Sequence, residues 1–190
     1  PGTGNGRFAG EPFTVSLLTT TGNDMRRQIA QRFQTNMRDC GIRVELIFQP
    51  ANKLFADGAD GRVFGRQFDL ALFAWTSEVI PNCHLFLGSS VTGPVAEGFG
   101  GWDNVNNTGW QNEAFDAACQ QARAALPGTA VYADAHREAQ RIFARELPIL
   151  PLFPRLILAA ARPEVSGFNV DATGQTEMIN IYQFDLDLGE

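Results

Sequence analysis

The sequence predicts an α/β domain with an open sheet whose central strands are parallel, in the order 2-1-3, flanked by helices. Three observations carry this. An apolar, β-branched run is followed within a few residues by an amphipathic helix and then by an alternating run, which is a βαβ unit. A third run is nearly continuous in apolar residues, as a strand buried on both faces would be. Hydrophobic residues make up 44% of the 190 and charged residues 19%, enough apolar side chain for a sizeable core.

Each element has its own signal. Pro1 to Glu11 is rich in Gly and Asn and reads as a flexible lead-in, so the domain is placed at 12–190 as a single α/β lobe. Phe13 to Thr20 is the first strand. Asn23 then suits an N-cap, and Met25, Ile29, Phe33, Met37 and Cys40 recur at helical spacing until Gly41 ends the helix. Ile42 to Gln49 alternates and is the second strand. Asn52 to Ala59 holds at most a short helix, and Phe68 to Trp75 is the third strand. Gly88 to Gln111 is rich in Gly, Asn, Ser and Thr and lacks periodicity, so it is a long loop. Asn112 caps a helix with the stripe Phe115, Ala118, Cys119, Ala122 and Leu126. Pro127-Gly128 breaks it, and Tyr132, Ala135, Ala139, Ile142, Phe143 and Leu147 mark the next helix. Ile149–Phe153 and Leu156–Ala161 suit segments returning to the sheet, and Met178–Phe184 reads as a final strand.

The composition also excludes. Lys+Arg is 15 against Asp+Glu 21, a net charge of -6 with no basic run, so nucleic acid is not an expected partner. No apolar stretch is long enough to span a membrane. The chain starts at Pro1 with no charged and apolar leader, as a processed chain or a piece of a longer one would. No dinucleotide, P-loop or nucleophile-elbow motif occurs, and with two histidines and no CxxC pair neither a zinc set nor a triad assembles. No cofactor or metal is expected, and the chain does not read as an enzyme. His136 falls mid-helix and reads as a solvated surface residue. Cys40 reads as a small buried hydrophobe on its stripe. Of the three cysteines at least one stays free if all bonding is internal. Cys83 and Cys119 are a candidate disulfide in an oxidising compartment.

One place could hold a ligand. Open α/β sheets bind at the carboxyl ends of their strands. The third strand ends there in Trp75-Thr76-Ser77-Glu78: an aromatic face, two hydroxyls and a carboxylate. Glu78 could pair with a ligand ammonium and Trp75 could stack on it. The alternative is that Trp75 caps the core and Glu78 is solvated.

Several segments carry a family resemblance. Leu17-Leu18-Thr19-Thr20 with Gly22-Asn23, and a helix ending Cys40-Gly41-Ile42-Arg43-Val44-Glu45-Leu46, form the first. Phe68-Asp69-Leu70-Ala71-Leu72-Phe73-Ala74-Trp75 is the second. Asn107-Thr108-Gly109-Trp110-Gln111-Asn112-Glu113-Ala114-Phe115-Asp116 is the third. Arg137-Glu138-Ala139-Gln140-Arg141-Ile142 followed by Leu147-Pro148-Ile149-Leu150-Pro151-Leu152-Phe153 is the last. In this order, over about residues 12–184, the chain resembles the C-terminal lobe of family 5 extracellular solute-binding proteins, the oligopeptide-, dipeptide- and nickel-binding components of ABC importers.

The resemblance implies a periplasmic-binding-protein type II lobe, located outside the cytoplasm. It would trap a small solute, a peptide or another amino-bearing molecule, against an N-terminal lobe by hinge closure and dock on a membrane permease. The family's peptide binders carry an aspartate after the tryptophan to receive the peptide ammonium. Here Glu78 stands at that place and reaches one methylene further. A sensory or regulatory module reusing the same lobe is the alternative.

Overall fold

The computed structural model describes residues 13–75, 81–154, 159–171, 176 and 178–187. The chain divides into two compact units. The first comprises Pro1–Thr76 and Asn82–Ile149, the second Ser77–Pro81 and Leu150–Glu190.

In the first unit β1 (Phe13–Thr20) runs into a turn where the Asn23 side chain accepts the Arg26 N–H at 2.9 Å, capping α1 (Asp24–Asp39). Gly41, with φ 78°, takes the left-handed conformation that lets the chain leave the helix for β2 (Ile42–Gln49). β1 pairs in parallel with β2 from Phe13↔Ile42 to Thr20↔Gln49. It pairs in parallel with β3 (Leu70–Leu72) from Leu17↔Leu70 to Thr19↔Leu72. The strand order is 2-1-3, as the sequence predicts.

Successive strand residues point to opposite faces, and here both faces are covered. Leu17, Val44, Leu70 and Leu72 meet Ala30, Phe33 and Met37 of α1 on one side. On the other, Leu18, Ile47, Ala71 and Phe73 meet Leu54, Phe55, Val63 and Phe68, delivered by the short helix α2 (Ala51–Leu54) and the loop after it. The third strand is shorter than Phe68–Trp75 and only half-buried. It is an edge of this sheet, paired on one side, so its backbone is not enclosed as a central strand's would be. Cys40 is also corrected. It sits at the C-cap of α1, where the backbone has left the helical conformation (φ -88°, ψ 3°), and is exposed.

Asp69, one residue ahead of β3, accepts the Ser16 backbone N–H at 2.8 Å and the Ser16 hydroxyl at 2.7 Å. The backbone bond first, then the hydroxyl, hold its carboxyl below the ordinary value of 3.8. A carboxylate depressed in the folded state contributes stability that is complete above its unfolded value. That contribution is lost as pH falls through the lower folded one. Asp69→Asn is therefore expected to flatten the fall of Tm below about pH 4, where carboxylates ordinarily titrate, as followed in thermal melts across the acid range. A slope identical to wild type would remove this contribution.

The rest of the first unit is a helical hairpin under a long loop. α3 (Glu113–Ala124) is capped by Asn112, and α4 (Ala130–Glu146) by Thr129, whose hydroxyl accepts the Tyr132 N–H at 3.2 Å. Leu87, Phe115, Ala118, Cys119, Ala139 and Ile142 form their core, with Phe86, Trp110 and Phe143 packed against it. Cys83 and Cys119 are disulfide-bonded, tying the turn Cys83–Phe86 to α3. Leu126 is exposed, since it lies past the end of α3. His136 is not a surface residue. It is 7% exposed, its ring lies 4.4 Å from that of Tyr132, and its Nε2 has no hydrogen-bond partner.

The segment 88–111 is irregular, yet it buries Val91, Thr92, Asn106 and Asn107 and closes on itself through single bridges, Val91↔Asn106 and Gly93↔Gly101. A close stack ties it to the loop before β3. The Arg66 guanidinium lies 4.7 Å over the Phe99 ring. A Cβ at Gly93 would sit 2.7 Å from that ring, and one at Gly109 2.8 Å from Arg66 Nη1. Glycine at both positions is what permits the approach.

In the second unit β4 (Val165–Ser166) and β5 (Asp185–Leu186) pair antiparallel, and Phe168 meets Phe184 at 5.4 Å. Met178–Phe184 is not a strand. Its backbone N–H groups bond three residues back, Ile181 to Met178, Gln183 to Asn180 and Phe184 to Ile181, so local turns replace extension. Ile149–Phe153 forms no strand either. Of Leu156–Ala161, residues 156–158 lie outside the described residues.

Candidate functional site

Parallel pairing brings the carboxyl ends of β1, β2 and β3 to one edge of the sheet, and the chain places specific side chains there. Thr20 ends β1 and is buried. The Thr21 N–H donates to the Gln49 carbonyl at the end of β2, at 2.8 Å, fixing the β1–α1 turn against that strand. α1 starts at this edge. Side chains on a helix lean toward its N-terminus, so Arg26 in the first turn reaches back and donates from Nη1 to Thr20 Oγ1 at 2.7 Å. Among the described residues its guanidinium has no carboxylate partner.

Trp75 stands three residues past β3, with 46% of its surface exposed. It is not unsupported. Its ring lies 6.0 Å from Phe73, and Phe73 lies 5.5 Å from Phe55, edge to face. Phe55 and Phe73 in turn pack on the Leu18–Leu54–Val63 cluster. An aromatic ladder therefore runs from the core to an exposed indole, and a stacking surface held this way can receive an apolar group or a cation.

Of the four residues the sequence singles out at this edge, the structure describes Trp75. Thr76, Ser77 and Glu78 lie outside the described residues. Sequence reasoning missed Arg26, Phe73 and Phe55. Two of them had a signal: Arg26 is three residues after the N-cap Asn23, and Phe73 shares a strand face with Trp75 by the two-residue repeat. Phe55 had none, because it arrives from a different connection.

A second polar cluster lies where α3 begins and α4 ends. Glu146 accepts from Trp110 Nε1 and Asn112 Nδ2, both at 2.9 Å, and these bonds, Trp110 first, hold its carboxyl below the usual range. It clips the two helices together. Among the described residues no group of three His, Cys, Asp or Glu side chains is placed to hold a metal.

No protein-family model matches the chain. It is 26% identical over 154 residues to the probable ABC transporter periplasmic-binding protein SapA of Escherichia coli K12, covering 81% of this chain and 26% of that one. It is 26% identical over 175 residues to the peptide transport periplasmic protein SapA of Salmonella typhimurium, covering 90% and 30%. It is also similar to the di/tripeptide-binding protein 2 of Pseudomonas aeruginosa, 27% identical over 149 residues, covering 78% of this chain and 25% of that one. It spans less than a third of the length of these relatives, 26% and 30%. Its fold matches the oligopeptide-binding protein of Thermus thermophilus, a structure solved with a pentapeptide. The TM-score is 0.66 and the identity 24%, over 84% of this chain and 27% of that one. The resemblance to the family 5 solute-binding proteins therefore holds, and so does the parallel 2-1-3 sheet with its flanking helices.

Proposed function

We propose that the chain is a solute-binding lobe of an ABC-type peptide import system, acting outside the cytoplasm and not as an enzyme. It forms one wall of a hinged cleft. The other wall is the N-terminal lobe of the longer protein, and the closed protein delivers its solute to a membrane permease. The observation that carries this reading is the exposed, core-backed Trp75 at the carboxyl edge of a parallel sheet, in a chain whose homologues bind or transport peptides. The relatives are transport proteins, which favours import over the sensory alternative.

In this reading Trp75 packs on the ligand, Thr76 and Ser77 offer hydroxyls, and Glu78 receives an ammonium. A charge-assisted hydrogen bond of that kind contributes about 1.5–3 kcal/mol. Glu78→Gln in the longer protein is expected to weaken binding of a tripeptide such as trialanine roughly 10- to 150-fold by calorimetry. Unchanged affinity removes Glu78 from the site. The isolated chain, with one wall only, is expected to bind the same tripeptide at millimolar strength or weaker. Tight binding by the isolated chain overturns the two-wall reading.

A further inference from the structure

In the turn before β3, Arg66 is a non-glycine residue in the left-handed region, with φ 54°. The hydrogen bonds of the turn put it there. The Gly65 N–H bonds to the Gly61 carbonyl at 2.8 Å, which makes one helical turn. The Arg66 N–H then bonds to the Val63 carbonyl at 3.0 Å, and the Gln67 N–H reaches back to that of Arg62 at 2.9 Å. These are the paired bonds of a Schellman turn, whose left-handed position ordinarily holds glycine. A side chain there is strained, because its Cβ crowds the next carbonyl oxygen. Such strain persists where the surroundings over-determine it, and it gathers at clamps and switches.

Segment 88–111 supplies those surroundings. The Arg66 guanidinium lies 4.7 Å over the Phe99 ring, on one arm of the segment. On the other arm the Gly109 backbone comes so close that a Cβ would sit 2.8 Å from Nη1. One side chain thus touches both arms. The hold is poorly satisfied. Arg66 Nε is buried without a hydrogen-bond partner, and among the described residues the guanidinium has no ion pair. Thr92 Oγ1 is a second buried group without a partner, next to the Gly93 that faces the Phe99 ring. Donors left unpaired on closing favour any state in which water reaches them.

The stretch 94–99 is also tied mainly to itself. Its N–H groups bond locally, Glu97 and Phe99 to Pro94 and Gly98 to Val95. Phe99 joins none of the three apolar clusters. The base below it is held separately. Gly93 faces Gly101 in a single bridge, the Gly100 N–H donates to Val91 at 2.8 Å, and the Thr92 N–H donates to Asn106 at 3.0 Å.

We propose that 94–99 is a latched flap. Arg66 is the latch, and the flap opens about Gly93 and Gly100 while its base, the helical hairpin and the sheet stay folded. The stack favours the closed state. Backbone strain and unpaired donors oppose it, so the two states lie close in free energy. Opening releases a guanidinium and an aromatic ring together. The flap belongs to the first unit alone and does not depend on what the chain binds.

Amide hydrogen exchange followed by NMR on the 190-residue chain tests it. The Glu97 and Gly98 amides are expected to exchange at least roughly 10-fold faster than those of Thr92, Asn106 and β1, yet more slowly than in an unfolded peptide. Arg66→Ala and Phe99→Ala should each speed the two flap amides by roughly 3- to 30-fold. The double variant should be no faster than either single one, since both remove the same contact. Thr92, Asn106 and β1 should not change. Flap amides as protected as Thr92 overturn the proposal, because the flap then does not open by itself. Flap amides with no protection overturn it too, since nothing is then latched. So do single variants without effect, additive variants, or faster exchange at the base.

The strain is checked by a second variant. Arg66→Gly should release the flap as Arg66→Ala does, yet melt higher than Arg66→Ala by about 2–4 °C, because glycine takes the left-handed position freely. Equal or lower melting of the glycine variant overturns the strained latch.

Discussion

Removing the Cys83–Cys119 disulfide is expected to lower the stability of the first unit by about 3–4 kcal/mol. The bond closes a loop with a sequence separation of 36, and that loop contains the whole irregular segment 88–111. Without the bond, the unfolded chain regains the freedom of a long, glycine-rich stretch. The folded state loses little contact, since Cys83 and Cys119 remain packed against Leu87, Phe115 and Ala139. Replacing both with Ala keeps most of that packing and isolates the cross-link. At about 2–4 °C per kcal/mol for a domain of this size, Tm should fall by roughly 6–15 °C. Calorimetry of the double variant checks this, in a Cys40→Ser background so that the exposed third thiol cannot exchange into the pair. Wild type in reductant should melt with the double variant, and the variant should ignore reductant. A change of less than about 2 °C would mean the loop is already restricted in the unfolded chain.

How much of the fold is legible in the sequence differs by element. The β1–α1–β2 unit is, because its cap, its stripe and its terminating glycine all agree with one another and with the parallel register. His136 is a case where polarity misleads. Tyr132, Ala135, Ala139, Ile142 and Phe143 define a stripe, and His136 lies four residues from Tyr132 and three from Ala139, on that same stripe. Its position on the helix outweighs its polarity, and the structure buries it. Met178–Phe184 fails for the opposite reason. Its apolar content suggests a strand, but the residues do not alternate, and bonds three residues back take the backbone groups a ladder would need. At the candidate site, Trp75 is legible because a strand end is a definite place. The ladder beneath it is not, since Phe55 and Phe73 meet only once α2 has folded over the sheet.

Asn106→Ala is expected to cost about 2–4 kcal/mol, a large effect for a residue in a loop. The side chain is 1% exposed and every bonding position it has is used. Nδ2 donates to the carbonyls of Leu87 and Trp110, both at 3.0 Å, and Oδ1 accepts from the Thr108 N–H at 3.2 Å and the Thr108 hydroxyl at 2.8 Å. Its backbone donates to Ser90 at 2.8 Å and accepts from Thr92 at 3.0 Å. One side chain thus joins the start of the long loop to its end and holds Trp110 against the hairpin core. Alanine takes the donor from the Trp110 carbonyl and the acceptor from the Thr108 N–H, while the Leu87 carbonyl keeps only the Ser90 N–H at 3.0 Å. Asn106→Asp should cost at least as much, because a carboxylate would face the same two carbonyl oxygens. Thr108→Val removes the hydroxyl that donates to Asn106 Oδ1 and accepts the Trp110 N–H at 3.1 Å, and should cost about 1–2 kcal/mol. Urea titrations would rank the three, with midpoints moving at constant m. An Asn106→Ala loss below about 1 kcal/mol would show that water replaces the side chain. The order of the loop would then rest on the disulfide and the Arg66–Phe99 stack instead.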